Sequence, residues 1–587
     1  MADVRARDAH ISIPWREWEP DAFRQAQELG RPILLSISAV WCHWCHVMDR
    51  STYADPEVIR RVSEELVPIR VDNDRRPDVN SRYNLGGWPT NALLTPEGDL
   101  LTGGTYLPSE ELLSLIDEVQ AYYRERRAEL EDRVSKRRVR RARIAELRGK
   151  LRAPMGPDVV DVVAEALRQT YDPQYGGFGK APKFPMPDVL DFAFALGHLR
   201  REPAFTDIAA ASLTAMAEGD IHDSEGGGFF RYATREDWGE PHYEKMLEGN
   251  ARLLSVYLHA ARLLDRPLYW SAARGIVTWL TQTVRLENGG FGGSQDADEE
   301  YYHLPRSTRS RRAAPQVDET LFAGWNGMAA SALFEAAAYL AQPELAQTAL
   351  EALEATWRLA YMPGQGVAHY YDGRPHLPGF LADQLWLAHA LLDAQAYAGQ
   401  GDYLARAREL FGILDARLLD ATGGGYFDVP ADPQAFGNLK DRRKQLEENA
   451  WAAHLALRLH RLTGETLYLE RATRSLEAMA PLYRAYRHHA APYAHAIQRF
   501  VYAPLHLIVV GDPQSPAARD LRLAALALYD PNREVESVDP GPDPERLRAL
   551  GLPAQPAPAL YARRGERLSA PVTDPNLVRA VVEGVPA

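Results

Sequence analysis

The chain has 587 residues, 46% hydrophobic and 25% charged, a balance typical of globular protein with ample apolar surface to bury in several domains. Its formal net charge of −13 argues against a general nucleic-acid binder, which needs clustered Lys and Arg to meet phosphates. There is no run of about 18 or more apolar residues and the first residues are polar, so neither a membrane span nor a secretory signal is read. A cytoplasmic protein is expected, with no nucleic-acid or membrane partner and with its cysteines mostly reduced.

In chain order, the first informative segment is Pro32–Ser38, an apolar run of strand character, followed by Cys42-His43-Trp44-Cys45-His46, which holds both cysteines of the chain. A CxxC between a strand and a helix is thioredoxin-like. Unpaired N–H groups at the helix N-terminus stabilise a thiolate, so Cys42 is read as the attacking and Cys45 as the resolving thiol, with His43, Trp44 and His46 beside them. The same residues also fit a c-type haem attachment signature, a zinc site with nearby histidines, or a pair without turnover. A second strand, Val67–Asp72, precedes Gly86-Gly87-Trp88-Pro89-Thr90, where Trp88-Pro89 is expected to be cis and to lead into a hairpin. Thioredoxins carry a buried carboxylate six residues before the first cysteine; here that position is Ser36, which leaves His43 or His46 to move the proton.

From Arg124 to Arg152 the chain is rich in Arg and Lys, with Glu129, Glu131 and Asp132 interleaved. This reads as a solvated helix linking two domains, held by pairs one turn apart, in preference to a nucleic-acid or membrane patch. After Pro154 long amphipathic helices alternate with loops: Gly176-Gly177-Phe178, Gly226–Phe230, Gly289-Gly290-Phe291, Gly366–Tyr371, Gly423–Phe427 and His489–Tyr493. Near twelve helices with a loop after every second one predict an (α/α)6 toroid with the loops at one end. Its expected span is 156–503, after a thioredoxin-like domain at 1–123 and a basic linker at 124–155, and before a small α/β segment at 504–587 that contains the strand-like His506–Gly511.

CHWCHVM from Cys42, GGWPTNALLTPEGDLLTGGTYLP from Gly86, GGFGKAPKFP from Gly176, GGGFFRYATREDWGEPHYEKMLEGN from Gly226, SQDADE from Ser294 and GWNGM from Gly324 together resemble the spermatogenesis-associated protein 20 family over nearly the whole chain. The resemblance implies a thioredoxin-like domain fused to a six-hairpin glycosidase-like toroid, and leaves the reaction open. Two departures stand out. A short Arg-rich stretch, Arg306 to Arg312, replaces a longer insertion, which would remove part of a pocket wall. Tyr561 to Pro571 lacks two cysteines often found in that segment, so the C-terminal segment is expected to be structural.

Candidate residues in the toroid cluster after the second glycine loop: Arg231, Glu236, Asp237, His242, Glu244, Lys245 and Glu248. His242 and Glu244 are read as base and acid, Lys245 and Arg231 as holders of a polar group, and Glu244 and Glu248 as one turn apart on one helix; the alternative is a salt-bridged collar. Asp296 and Asp298 are candidate glycosidase carboxylates, or helix caps. Phe184, Phe229, Trp238, Trp325, Asn326, Tyr370, Phe380 and Asp383 would line a sugar-sized pocket or plug the centre. An epimerase would pair His242 with His369 or His495. The expected partners are a carbohydrate-like small molecule or a thiol/disulfide client; no cofactor or metal is assigned. Three functions fit: a thiol-disulfide protein with a sugar pocket, a sugar epimerase or glycosidase with a structural thioredoxin domain, or a binding scaffold.

Overall fold

The computed structural model describes residues 12–126, 129, 132–137, 139–140, 143 and 152–585. The chain forms two compact units, Met1–Lys150 with Ala431–Arg443, and Leu151–Pro430 with Lys444–Ala587.

In the first unit the elements run α1 (Pro20–Leu29), β1 (Ile33–Ser38), α2 (His43–Arg50), α3 (Pro56–Glu65), β2 (Val67–Asp72), α4 (Pro77–Tyr83), β3 (Thr90–Leu94), β4 (Leu100–Gly104) and α5 (Ser109–Glu125). The sheet order is β2-β1-β3-β4, with β1 parallel to β2 and antiparallel to β3. Period-two alternation sends Ile33, Leu35 and Ile37 to a core with Trp18, Phe23 and Tyr83, and sends Leu34 to another with Met48, Tyr53 and Ile116. This is the expected thioredoxin-like layering, and Trp88-Pro89 is cis as expected. Nothing in the sequence pattern singles out Ala431–Arg443 as part of this unit. Phe436 stacks on Phe23 at 4.5 Å, and the Asn438 amide donates to the Tyr83 hydroxyl at 2.7 Å. Nearly half of the basic stretch 124–155 lies outside the described residues; within it, exposed Arg133 and Lys136 bond Glu129 and Asp132 one turn back, at 2.7 and 2.6 Å.

The second unit contains, among the described residues, twelve long helices: α6 (Asp158–Thr170), α7 (Pro187–Arg200), α8 (Pro203–Glu218), α9 (Leu247–Leu264), α10 (Pro267–Gln282), α11 (Ala323–Tyr339), α12 (Pro343–Ala360), α13 (Leu381–Ala398), α14 (Tyr403–Arg417), α15 (Leu446–Thr463), α16 (Thr466–Met479) and α17 (Ala491–Val501). Helices α7, α9, α11, α13, α15 and α17 each pack on the next, and α17 closes on α7; each is backed by one of α8, α10, α12, α14, α16 and α6. This is the predicted (α/α)6 toroid. The inner helices are buried on nearly all sides, and α11 is rich in Ala and Gly so that neighbours can approach closely. A Cβ on Gly327 would sit 2.7 Å from the Trp386 backbone of α13.

The glycine loops do lead into inner helices. At 176–177, 227–228 and 424–425 both glycines have positive φ, a conformation open to Gly at little cost. In four of the loops the residue after the glycine turn is held by a side-chain amide in the first turn of the next inner helix, whereas at 176–177 the Gly177 N–H donates to the Ser212 hydroxyl at 2.9 Å. Asn250 accepts from Phe229 N–H at 2.7 Å and donates to the Phe229 and Met246 carbonyls. Asn326 does this for Phe291, Gln384 for Val367 and Asn449 for Tyr426. The sixth connection differs from the expected loop: Arg487–Ala490 is a 3-10 turn running into α17.

The C-terminal segment comprises β5 (Leu505–Val510), α18 (Pro516–Leu526), β6 (Arg533–Val538), β7 (Ala559–Arg564) and β8 (Arg567–Leu568). Its order, β6-β5-β7-β8, repeats the connectivity of the first unit's sheet, without cysteines. Among the described residues no helix is long and apolar enough to cross a membrane.

Asn250→Ala removes three buried hydrogen bonds and is expected to lower unfolding free energy by about 3 kcal/mol, at roughly 1 kcal/mol each. Urea unfolding monitored by circular dichroism measures this, and a loss within error of zero would remove the amide from the fold's essential contacts.

Candidate functional site

Cys42 is the N-cap of α2, its Sγ accepting from Cys45 N–H at 3.2 Å, and the two cysteines form a disulfide. The helix turn sets their Cα atoms 5.2 Å apart, within bridging range. The preceding loop is braced from below, where Asp72 accepts from Val40 N–H at 3.0 Å and Asp74 from the Trp41 indole at 2.5 Å. Both cysteines are nearly buried, whereas Trp44 is 48% exposed and lies edge-on to Tyr106. His43 and His46 are half-buried on α2, and Pro89 is buried just before the hairpin. Buried Ser36 pairs in register with Asn91, which accepts from the Tyr53 hydroxyl; burial pushes that hydroxyl up to about 12, so it stays neutral.

The cluster after the second glycine loop behaves largely as a collar. Lys245 is buried and donates to Asp223 at 2.6 Å and to the Gly227 carbonyl at 2.7 Å. Lys183 with Asp172 and Gly176, and Lys444 with Asp420 and Gly424, repeat the same tie. Burial lowers Lys245 to about 8, an effect that Asp223 partly offsets. Glu244 is buried 3.6 Å from His242 and 3.8 Å from Arg231. It does not share a helix with Glu248, because Lys245–Met246 pairs as a strand with Ser294–Gln295 and α9 starts only at Leu247. Phe184 stacks on Tyr232, which stacks on His242.

The other nominated residues are scattered. Asp298 caps the short helix Glu299–Tyr302, and Asp296 accepts from the next N–H. Phe229 is buried between His222 and Tyr257, and buried Trp238 donates to the Tyr175 carbonyl at 2.9 Å. Trp325 packs on Phe322, and Asn326 pins the Phe291 loop. Asp383 holds His369 at 2.8 Å and accepts from Gly324 N–H. His242, His369 and His495 occupy separate environments, His495 lying 3.6 Å from Asp191.

The toroid's axis instead holds a cavity of about 240 Å³, lined mostly by residues from the second turn of the inner helices onward. Asp191 of α7, Ser255 and His259 of α9, Ser331 and Glu335 of α11, His389 and Asp393 of α13, His454 and Arg458 of α15 and Arg499 of α17 line it. From the C-terminal segment, Leu526 and residues 529–535 also line it. The overlooked signal is a polar pair four residues apart in otherwise apolar helices, as in His389/Asp393, His454/Arg458 and His495/Arg499, which places both groups on one face.

The chain is similar to spermatogenesis-associated protein 20. The Homo sapiens protein is 26% identical over 714 aligned positions, covering 98% of this chain and 90% of the relative. A family model described as Thioredox_DsbH, a protein of unknown function (DUF255), matches residues 5–140. A Pseudomonas aeruginosa thiol:disulfide interchange protein, DsbD 1, is 33% identical over 81 residues, 13% of this chain and 14% of that protein. The solved structure of cellobiose 2-epimerase from Bacillus thermoamylovorans overlaps 55% of this chain and 87% of its own, with 10% identity and a TM-score of 0.46.

The relatives' shared length spans both the disulfide-bearing unit and the ring, whose axis is dense in charge. His259 bonds Asp191 at 2.7 Å and Glu335 at 2.8 Å. Burial alone would lower the imidazole, but Glu335 and Asp191 outweigh it and raise the group to about 10. Burial likewise works against the ionised Asp191, yet His259 outweighs it and holds the carboxyl well below the usual range. The other histidines go the opposite way: burial, reinforced by Arg458, holds His389 neutral, and burial with Arg499 does the same for His454. Their rings lie 4.9 Å apart, next to Trp386 and Trp451. Among the described residues no group of three or more His, Cys, Asp or Glu is placed to hold a metal ion.

Because His259 is raised in the folded state, its contribution to stability is fully present below its unfolded value of about 6.5 and is lost as pH rises through about 10. His259→Gln is therefore expected to flatten the fall of unfolding free energy between pH 7 and 10. Identical slopes for the two proteins in denaturant titrations would show that the imidazolium is absent.

Proposed function

We propose that the first unit performs thiol-disulfide exchange through Cys42 and Cys45. The carrying observation is the disulfide at the N-terminus of α2, where N–H groups and the helix dipole favour a thiolate on the N-cap sulfur. In the reduced protein, the Cys42 thiolate attacks a client disulfide, forming a mixed disulfide and releasing one client thiolate. The Cys45 thiolate then attacks Cys42 Sγ, closing the observed bond and releasing the second client thiolate; two electrons pass to the client. Run in reverse, the oxidised pair takes two electrons from a dithiol client. Exposed Trp44 offers an apolar surface for that client beside the sulfurs.

A second reading concerns the ring, which we infer to be a receptor for a carbohydrate-like small molecule. It is supported by the axial cavity, which combines two indole rings with convergent polar groups.

With insulin as disulfide substrate, wild type is expected to turn over with dithiothreitol as reductant, and pre-reduced Cys45→Ser freed of dithiothreitol is expected to accumulate an adduct through Cys42 that later addition of dithiothreitol releases. Cys42→Ser is expected to form none. Insulin reduction at the wild-type rate by both variants would sink the exchange reading.

A further inference from the structure

Resting on the receptor reading, we propose that the axial cavity takes an anionic polyol, a sugar-sized molecule bearing a carboxylate or phosphate, with its acid group against Arg499 and Arg461. Like Arg533, which donates to the Leu526 and Leu528 carbonyls, these two guanidiniums of the cavity wall donate to neutral acceptors. Arg458 has carboxylate partners, Asp393 at 2.9 Å and Glu534 at 3.1 Å, and Arg252 pairs with Asp188. Arg499 instead donates to the Pro531 carbonyl at 3.0 Å and to His454 Nδ1 at 3.1 Å. Arg461 donates to the Asn532 side chain at 2.7 Å and to the Arg499 carbonyl at 3.0 Å. Neutral acceptors satisfy their N–H groups without cancelling their charge. Burial consequently lowers both to about 10, an effect only partly offset by Asp191 for Arg499 and by Glu534 for Arg461. A buried cation without a counterion is costly, and an anion in the cavity supplies the missing charge through charge-assisted hydrogen bonds.

The rest of the wall suits hydroxyl groups. Ser331 Oγ, Trp451 Nε1 and Tyr529 Oη are buried and lack a hydrogen-bond partner in the protein, and all three residues line the cavity. Buried polar groups in native proteins are nearly always paired, so three such groups around one space point to an occupant with several donors and acceptors. Trp386 and Trp451 add apolar faces, their rings 4.5 Å apart with Arg252 over both. Because Arg499 donates to His454 Nδ1, the neutral imidazole carries its proton on Nε2, ready to donate to the same ligand.

Isothermal titration calorimetry on the full chain tests this with D-glucuronate and D-gluconate, glucose 6-phosphate, neutral D-glucose and D-mannose, and inorganic phosphate. At least one sugar acid is expected to bind one to one and at least tenfold more tightly than the neutral sugars and inorganic phosphate; whether the carboxylate or phosphate arm binds identifies the acid group. Arg499→Met is expected to weaken that binding by roughly ten- to a hundredfold, the range for losing a hydrogen bond to a charged group. Trp451→Phe, which keeps an aromatic ring and removes the indole N–H, is expected to weaken it by roughly fivefold and remains informative if Arg499→Met does not fold. Equal or exclusive binding of neutral sugars would overturn the anion assignment while leaving the receptor reading intact. Inorganic phosphate binding as tightly as the sugar acids would overturn the polyol part. An absence of binding by every probe would overturn both the inference and the receptor reading beneath it, and unchanged affinity in folded Arg499→Met would move the acid group away from Arg499.

Discussion

The ring depends on one repeated interaction: a side-chain amide in the first turn of an inner helix that pairs with the backbone of the loop before it. Loops entering a buried ring bring N–H and C=O groups that water cannot reach, and each must find a partner. Asn250, Asn326, Gln384 and Asn449 each supply both an acceptor and donors to the aromatic or apolar residue above them. Three lysine-aspartate-carbonyl ties add a charge-assisted clamp at the glycine turns. With the loop ends fixed this way, the inner helices hold a common register and their later turns meet at the axis.

That register decides the electrostatics. The axial wall carries the carboxylates Asp191, Glu335, Asp393, Asp530 and Glu534 and the guanidiniums of Arg252, Arg458, Arg461, Arg499 and Arg533. Pairing is uneven: His259 sits between two carboxylates and stays protonated, whereas His389 and His454 face arginines and stay neutral. Identical side chains around one cavity therefore differ in charge because their neighbours do. The segment around Tyr529 to Glu534 takes part directly, since Glu534 bonds Arg458 and Asn532 bonds Arg461.

The first unit and the C-terminal segment use one strand order for different ends. In the first, the turn after β1 carries Cys42 at the start of α2. In the second, the turn after β5 carries Gly511-Asp512-Pro513 ahead of α18, and the loop before β6 borders the axial cavity. The shared topology provides a rigid platform, and what projects from it sets the chemistry.

Local patterns determined much of this protein. The strand-CxxC-helix order, the period of the β1 and β2 runs, the proline before the hairpin and the spacing of the Gly-Gly-aromatic loops fixed both architectures, because each depends on neighbours in sequence. Lys245, Asn326, Asp298 and Trp238 drew attention as polar or aromatic residues beside loops, but a loop needs such residues to satisfy its own backbone, and the sequence does not distinguish that use from ligand contact. The axial site was decided by tertiary structure alone. Its residues are spread from Asp191 to Glu534, several of them in pairs one turn apart on an inner helix, and they converge only because six helices close into a ring. Their charge states were likewise beyond the sequence, since burial and the partner across the cavity set them.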